Sequence, residues 1–459
     1  MYQIDFHKPI RIYFIGIGGI SMSGLAEILL AEDFTVSGSD RAPSDLTRML
    51  EERGVRVFYG QREENLTGDI DLVVYTAAIK SDNPELLAAK KLGIPTLTRA
   101  ELLGQMMKNY KTPIAVSGTH GKTTTTSMIS QILLNAEADP TLSIGGIYRP
   151  IGGNIRVGAS ELFVTEACEY TNSFLSFFPK IGIILNIEED HLDFFKDLSD
   201  IRNSFRRFAL LLPADGTLII NGDIDRCEEL TEGLSCRVIT YGFSSGLDYT
   251  ASQITYDETG CPSFLVNRKA GGERMFALRV HGEHNILNAL AAIALADLLA
   301  LSDEVTAAGL FSFGGTDRRF EYKGQVNGVN IIDDYAHHPT EIRATLKAAK
   351  QYPHKRIWCV FQPHTYTRTK AFLDEFAAAL SLADEIVLAD IYAAREKDTL
   401  GISSETLQEK IRSLGHSCHY FPTFEAIENY LLKNCTKDDL LITMGAGDVV
   451  KIGENLLQK

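Results

Sequence analysis

Residues 118–126 read GTHGKTTTT, between a short apolar run at 113–117 and a helical pattern at about 123–135. A strand that ends in glycines and passes straight into a helix can fold in few ways. It belongs in a parallel α/β sheet, with the loop at the carboxyl edge and backbone N–H groups facing an anion. In such a cradle Lys122 lies against the β- and γ-phosphates of a nucleotide, and the Thr123 hydroxyl holds Mg²⁺. The spacing is not the general one. G-x-x-x-x-G-K needs glycine at 116, where this chain has Val116, so the loop is a shorter G-T-x-G-K-T form.

The N-terminus shows a related junction. The apolar run 12–15 enters GIGGISMSG (16–24), a helical pattern follows at 25–31, and a second strand at 34–37 leads to Asp40. Gly16 and Gly18 fit G-x-G-x-x-G, but the third position is Ser21 and Gly24 comes later. The loop therefore says diphosphate of a nucleotide more firmly than it says NAD. Asp40 stands where an acid would reach a ribose, and equally where a turn aspartate would be exposed.

Short strands and helices alternate through three stretches, which predicts an α/β chain of three domains. The first (1–105) carries strands at 55–59, 72–75 and 96–98 besides those named. The second (106–312) carries the phosphate loop, strands at 162–165, 181–185 and 218–220, a β-rich stretch at 237–280 and a helix at 285–299. The third (313–459) repeats the alternation, with strands at 329–332, 357–361, 385–388, 419–421 and 440–444. Helices are expected there at 340–350, 370–381, 404–413 and 424–433. A length of 459 residues fits this count.

Composition narrows the partners. A net charge of −15 argues against nucleic acid and against anionic membranes. The seven cysteines form no C-x-x-C pair, which favours reduced thiols in a cytoplasmic protein. No segment approaches 18 apolar residues, and the N-terminus lacks the layout of a signal peptide. Monomer and homodimer both fit.

Mg²⁺ takes few protein ligands, so one or two partners for Thr123 are expected nearby. Glu166 ends the strand of LFVTE, and His191 lies in NIEEDHLD after the strand 181–185. Each could project at the same carboxyl edge as the loop. Glu169 and Asp190 are weaker candidates.

Taken in order, GIGGISMSG, GTHGKTTTT, the Glu166 strand end, EEDHLD, HGEHNILNALAA (281–292), DRRFE (317–321), DDYAHHPTEI (333–342), FQPHTYTRT (361–369) and GAGD (445–448) resemble the Mur ligases over essentially the whole chain. The closest likeness is to the branch that joins L-alanine to UDP-N-acetylmuramate. The resemblance implies an ATP- and Mg²⁺-dependent ligase of peptidoglycan synthesis. It implies a Rossmann-like N-terminal domain for the UDP moiety, a P-loop-type central ATPase domain, and a Rossmann-like C-terminal domain that brings the amino acid.

It also implies roles for matching residues. Gly16, Gly18, Gly19, Ser21, Asp40 and Thr76 would meet the UDP-sugar. Gly118, Thr119, His120, Gly121, Lys122, Thr123 and Thr124 would cradle ATP. His284, Asn285 and Asn288 would lie near adenine. Arg319 would reach the γ-phosphate and Asp334 would lie on the nucleotide side of the third domain. Glu166 and His191, with Thr123, would hold metal and the reacting carboxylate. Tyr335, His337, His364 and Arg368 would line the alanine site. There are departures. Many members have D-E-S-D where this chain has Cys168-Glu169-Tyr170-Thr171, and arginine where it has Thr365.

The chemistry explains the residue types. A carboxylate does not condense with an amine unaided, because oxide is a poor leaving group. Transfer of the γ-phosphoryl gives an acyl phosphate that an amine can attack. Lys122, Mg²⁺ and Arg319 would offset the repulsion between the two anions, domain closure would exclude water, and a histidine of DDYAHHP, His337, would serve as base. One of His337 and His338 could instead do no more than start the helix at Pro339. Outside this reading stand a ligase for a preformed peptide or another amino acid, a nicotinamide-dependent oxidoreductase built on GIGGISMSG, and a nucleotide-switched binding protein.

Overall fold

The computed structural model describes residues 2–76, 79–394 and 396–458. The chain forms two compact units. One comprises Met1–Ile187, Arg202–Ile220 and Ile224–Ile239; the other comprises Glu188–Ile201, Asn221–Asp223 and Thr240–Lys459.

The first unit holds one parallel sheet and the largely parallel part of another. The N-terminal one has the strand order Arg56–Tyr59, Thr35–Asp40, Arg11–Ile15, Leu72–Tyr75, Thr96–Thr98, all parallel. In the other, Thr112–Ser117 lies between Ile181–Ile184 and Leu162–Ala167, parallel to both. Thr141–Tyr148 follows as the next parallel strand and pairs antiparallel with Gly153–Arg156. Strands such as IYFI and LVV are apolar throughout because helices cover both faces of a parallel sheet. Phe14, Val73, Ile114, Val116 and Ile183 are fully buried.

The second unit holds an antiparallel meander, Tyr249–Tyr256, Pro262–Arg268 and Glu273–Ala277, and the C-terminal sheet. That sheet runs Glu321–Val326, Val329–Asp334, Leu440–Met444, Ile357–Phe361, Glu385–Leu388, Cys418–Tyr420, with only the first pair antiparallel. Strand Arg237–Gly242 carries the chain from one unit into the other.

Several elements depart from the sequence expectation. The helix expected at 370–381 is two helices, Tyr366–Ala371 and Leu373–Leu380, broken at Phe372 (φ −114°, ψ 29°). The Phe372 ring is buried edge-on against His338, at 4.9 Å between centroids. The first helix of the chain, Ile20–Ala31, starts five residues before its apolar pattern, inside the glycine loop. Gly24 faces Ile155 so closely that a Cβ would lie 2.0 Å from its Cγ1. The late glycine of GIGGISMSG thus serves packing against the strand Gly153–Arg156.

Candidate functional site

In the phosphate loop Gly118 and Gly121 have φ of +146° and +81°, conformations that glycine adopts without a Cβ penalty. Gly121 is the N-cap of helix Lys122–Asn135, and no side chain caps it. The helix's first N–H groups and its dipole therefore face the loop. Asn186, just past the strand Ile181–Ile184, holds the loop's shape. Its carbonyl O accepts from Thr119 N (3.1 Å), its Oδ1 accepts from His120 N (2.8 Å), and its Nδ2 donates to the His120 carbonyl (3.0 Å). Thr124 lies in the first helical turn.

Lys122 Nζ donates to the carbonyls of Gly118 (2.5 Å) and Thr119 (3.1 Å) and to Glu169 Oε2 (2.9 Å). The pair is sheltered, with 16% and 2% of the two side chains exposed. Burial opposes the charge on Lys122, but the surrounding acidic groups, Glu169 first, together outweigh it and raise the pKa. Glu169, a weak candidate from sequence, is thus the partner of the loop lysine.

Glu166 is the register neighbour of Val116 on the adjacent strand, which brings it to the base of the loop. Its Oε2 accepts from Thr123 Oγ1 (3.0 Å) and its Oε1 from Gly145 N (2.5 Å). A Cβ on Gly145 would lie 2.5 Å from Glu166 Oε2, so glycine is required for this approach. Neither Asn186 nor Gly145 was singled out from sequence. The Gly-Gly pair inside a strand pattern was the available signal for Gly145. The Thr123 hydroxyl beside Glu166 is a hard-oxygen donor set that suits Mg²⁺.

The N-terminal loop is built differently. Gly16 N and Ile17 N both donate to the Ser39 carbonyl (2.8 and 2.9 Å), Gly18 N donates to Asp40 Oδ2 (2.8 Å), and Gly19 N donates to the Gly16 carbonyl (3.2 Å). Asp40 therefore braces the loop from the end of strand Thr35–Asp40. A Cβ on Gly18 would meet Thr47 Cγ2 at 2.7 Å, and one on Gly16 would meet Thr76 Cγ2 at 3.3 Å. Gly19 caps helix Ile20–Ala31 without a side-chain bond, and Ser21 lies in its first turn. That helix start is the feature of this loop suited to an anion. Ser39 is fixed in turn by the buried Glu85, which accepts from Ser39 Oγ (2.6 Å), Tyr13 OH (2.8 Å) and Asn65 Nδ2 (2.6 Å).

The second unit brings together the residues expected to line the alanine site. Arg368 donates through Nε and Nη2 to Asp190 Oδ1 (3.2 and 2.9 Å) and through Nη1 to His364 Nδ1 (3.2 Å). Burial opposes the charge of Asp190, but Arg368 and, behind it, the neighbouring imidazoles of His191, His337 and His338 together outweigh it and hold the carboxyl below its usual range. His191 is next in the chain, with φ +52° and its N–H bonded to Asp190 Oδ1 at 2.7 Å. His337 and His364 pack edge-on, 5.8 Å between centroids. His337 Nδ1 lies 3.0 Å from the Tyr335 carbonyl, which can only accept, so Nδ1 carries the proton and Nε2 the lone pair. Burial first, with the Arg368 charge behind it, lowers both histidines to about 4, against the raising effect of Glu341 on His337.

The two adjacent histidines divide as the sequence allowed. His338 is the N-cap of helix Pro339–Ala349 and accepts from Thr340 N through Nδ1 (3.3 Å), while Glu341 takes the N–H groups of His337 and His338. The adjacent arginines divide as well. Arg318 is tied to Asp333 (3.1 Å) and the Gly445 carbonyl (2.7 Å). Arg319 lies 5.2 Å from the centre of the Tyr335 ring, with Glu341 at 3.9 Å. Asp334 takes Ala336 N (2.7 Å) and Phe320 N (2.9 Å), which fastens DRRF to DDYAHH. Burial raises its pKa to about 6. Asn285 donates to the His281 carbonyl (2.7 Å) and Asn288 to Asn285 Oδ1 (2.9 Å) at the start of helix His284–Leu298. These bonds shape the HGEHN turn, and the His284 side chain is exposed. Thr365 adopts φ +66°, ψ 147°, rare for a residue with a Cβ, and caps the helix that carries Arg368.

The chain is similar to known proteins along its length. The sequence matches models of the Mur ligase family catalytic domain at 11–111, the Mur ligase middle domain at 116–296 and the Mur ligase glutamate ligase domain at 318–447. It is 62% identical over 459 residues to the UDP-N-acetylmuramate–L-alanine ligase of Agathobacter rectalis, covering 100% of both chains. Among solved structures, a UDP-N-acetylmuramate–alanine ligase from Thermotoga maritima matches with a TM-score of 0.82 at 29% identity, over 98% of each chain. A murein peptide ligase from Psychrobacter arcticus matches with a TM-score of 0.72 at 26% identity, again over 98% of each.

Proposed function

Because the chain belongs to the Mur ligase family, we propose that it joins the amino group of L-alanine to the carboxylate of UDP-N-acetylmuramate, with ATP converted to ADP and phosphate, in peptidoglycan precursor synthesis. Full-length identity to a ligase of that specificity carries the reading, and the Lys122–Glu169 and Thr123–Glu166 pairs at the loop support it. The oxidoreductase and switch readings fall away with it.

A carboxylate oxygen of the sugar acid attacks the γ-phosphorus, the bond from phosphorus to the bridging oxygen breaks, and ADP leaves. The alanine nitrogen then attacks the carbonyl carbon, and the tetrahedral intermediate expels phosphate. Lys122 shifts from Glu169 and the loop carbonyls to the ATP phosphates, and helix Lys122–Asn135 offers its N-terminal N–H groups to them. Thr123 and Glu166 would hold Mg²⁺, which screens phosphate charge when bound. His337, neutral at pH 7 with its lone pair on Nε2, accepts a hydrogen bond from the amine and aims it. Arg368, kept in place by Asp190, meets the alanine carboxylate. The anions that the substrates bring raise the basicity of His337 toward a working range. Arg319 is assigned to the γ-phosphate, His191 to metal and the reacting carboxylate, and His284 to the adenine side.

Three domains with boundaries near 105 and 312, and a cytoplasmic enzyme, complete the reading. No helix among the described residues is long and apolar enough to cross a membrane. Phosphate release measured with UDP-N-acetylmuramate and each amino acid in turn tests the function. Release with L-alanine is expected; release with a tripeptide and not with alanine would overturn it.

A further inference from the structure

Arg99 opens helix Arg99–Met107, directly after strand Thr96–Thr98. Thr98 is the register neighbour of Tyr75, so Arg99 leaves the sheet next to Thr76, at the carboxyl edge that carries the Gly16 loop. The helix is pinned from its other side. A Cβ on Gly104 would lie 1.9 Å from the Ser176 carbonyl, so the helix rests directly on the turn that follows Cys168 and Glu169. The Thr98–Glu101 capping box fixes the helix start and its first side chain.

Among the described residues, no hydrogen bond or ion pair reaches the Arg99 guanidinium. The acidic groups that act on it electrostatically are the Cys168 thiol and the Glu166 carboxylate, the latter at the base of the phosphate loop. Burial pulls its pKa below the ordinary arginine value, and those two groups oppose the shift without cancelling it. A sheltered guanidinium left in this way is stabilised by an anion that arrives with a ligand. ATP already has Lys122 and the helix start behind it. The edge beside Thr76 belongs to the nucleotide-sugar half.

We propose that Arg99 binds the carboxylate of the sugar-acid substrate and presents it to the phosphate loop, so that it selects a nucleotide sugar bearing an acid over one without. This rests on the proposed ligase function. A planar fork suits a carboxylate, and its bidentate contact fixes direction as well as charge.

The test uses the full chain with Arg99→Met and Arg99→Lys. Binding is measured by calorimetry for UDP-N-acetylmuramate, for UDP-N-acetylglucosamine, which lacks the carboxylate, and for ATP. Loss of a charge-assisted contact weakens UDP-N-acetylmuramate by about 10- to 100-fold in Arg99→Met, with kcat/KM falling alike. Affinities for UDP-N-acetylglucosamine and ATP stay unchanged, thermal melting of the free protein does not fall, and Arg99→Lys recovers part of the loss. Equal weakening of both sugars, weakening of ATP alone, a lowered melting temperature with unchanged sugar selectivity, or no change in any affinity would each overturn the proposal. If the wild-type protein forms the amide and Arg99→Met does so with unchanged constants, only this inference fails. If the wild type forms no amide, the ligase reading fails first.

Discussion

The two glycine loops of the first unit look alike in sequence and are built on opposite plans. At Gly16–Gly19 every loop N–H is bonded inside the protein, to Ser39, Asp40 or Gly16, and no lysine stands in the loop. At Gly118–Gly121 the charges are already assembled, with Lys122 on Glu169, Glu166 on Thr123, and Asn186 holding the turn. On the proposed function the first loop seats a diphosphate that does not react, and the second faces a phosphate whose bonds change, where preorganised charge lowers the barrier. Changes in the first should therefore act on substrate affinity, and changes in the second on turnover.

The largest effect should come from the second loop. Lys122→Ala should lower kcat by about 10²–10³ or more, as expected for loss of charge aimed at the transition state. Single-turnover ADP formation checks it, and near-normal turnover would break the comparison. Glu169→Gln keeps the shape but removes the counter-charge of Lys122. It should lower kcat by about tenfold, with a smaller change in KM for the sugar, because the uncompensated lysine then binds ATP and ADP more tightly. Steady-state kinetics with product-inhibition analysis read both. In the first loop, Gly18→Ala places a methyl 2.7 Å from Thr47 Cγ2. It should raise KM for UDP-N-acetylmuramate about tenfold, with kcat and KM for ATP little changed. A fall in kcat alone would show that this loop, too, takes part in the chemistry.

A smaller effect comes from the histidines of the second unit. His337 and His364 titrate near 4 in the folded chain, below the ordinary value of 6.5. Above pH 6.5 both folded and unfolded chains hold them neutral, so they add no pH dependence. As pH falls from 6.5 to 4 the unfolded chain takes up protons that the folded chain does not, and stability is lost. The slope is at most about 1.4 kcal/mol per pH unit for each histidine. Asp334, raised to about 6, gains a proton on folding over part of that range and works the other way. His337→Asn should therefore flatten the loss of melting temperature between pH 6.5 and 4, and an unchanged slope would contradict the shift. The smallest effect concerns the amino acid. One methyl separates alanine from glycine and is worth about 10- to 200-fold in kcat/KM, so glycine and serine should be weak substrates. No turnover with either at millimolar levels would mean a stricter pocket.

Much of this was legible in the sequence, for identifiable reasons. Strands 72–75, 357–361, 385–388 and 440–444 are largely apolar runs bounded by turn residues, and their observed limits agree. Helices Pro84–Leu92 and Arg99–Met107 lie outside the sequence expectation although their caps, Asn83 with Pro84 and Thr98 with Glu101, stand plainly in the chain. The hairpin Thr141–Arg156 was missed because its glycines weaken the strand pattern, yet one of them, Gly145, seats Glu166. The loop lysine was evident from spacing. Its partner Glu169, the brace Asn186 and the pairing of Arg368 with Asp190 depend on contacts between residues 47, 66 and 178 positions apart, which local patterns do not encode.

The central claim is that the γ-phosphate passes onto the sugar-acid carboxylate. UDP-N-acetylmuramate labelled with ¹⁸O in that carboxylate, incubated with ATP and L-alanine, tests it by mass spectrometry of the released phosphate. Each phosphate should carry one oxygen derived from the carboxylate, because the oxygen that attacks phosphorus leaves with it. Unlabelled phosphate, with the amide formed, would mean that the carboxylate is not phosphorylated.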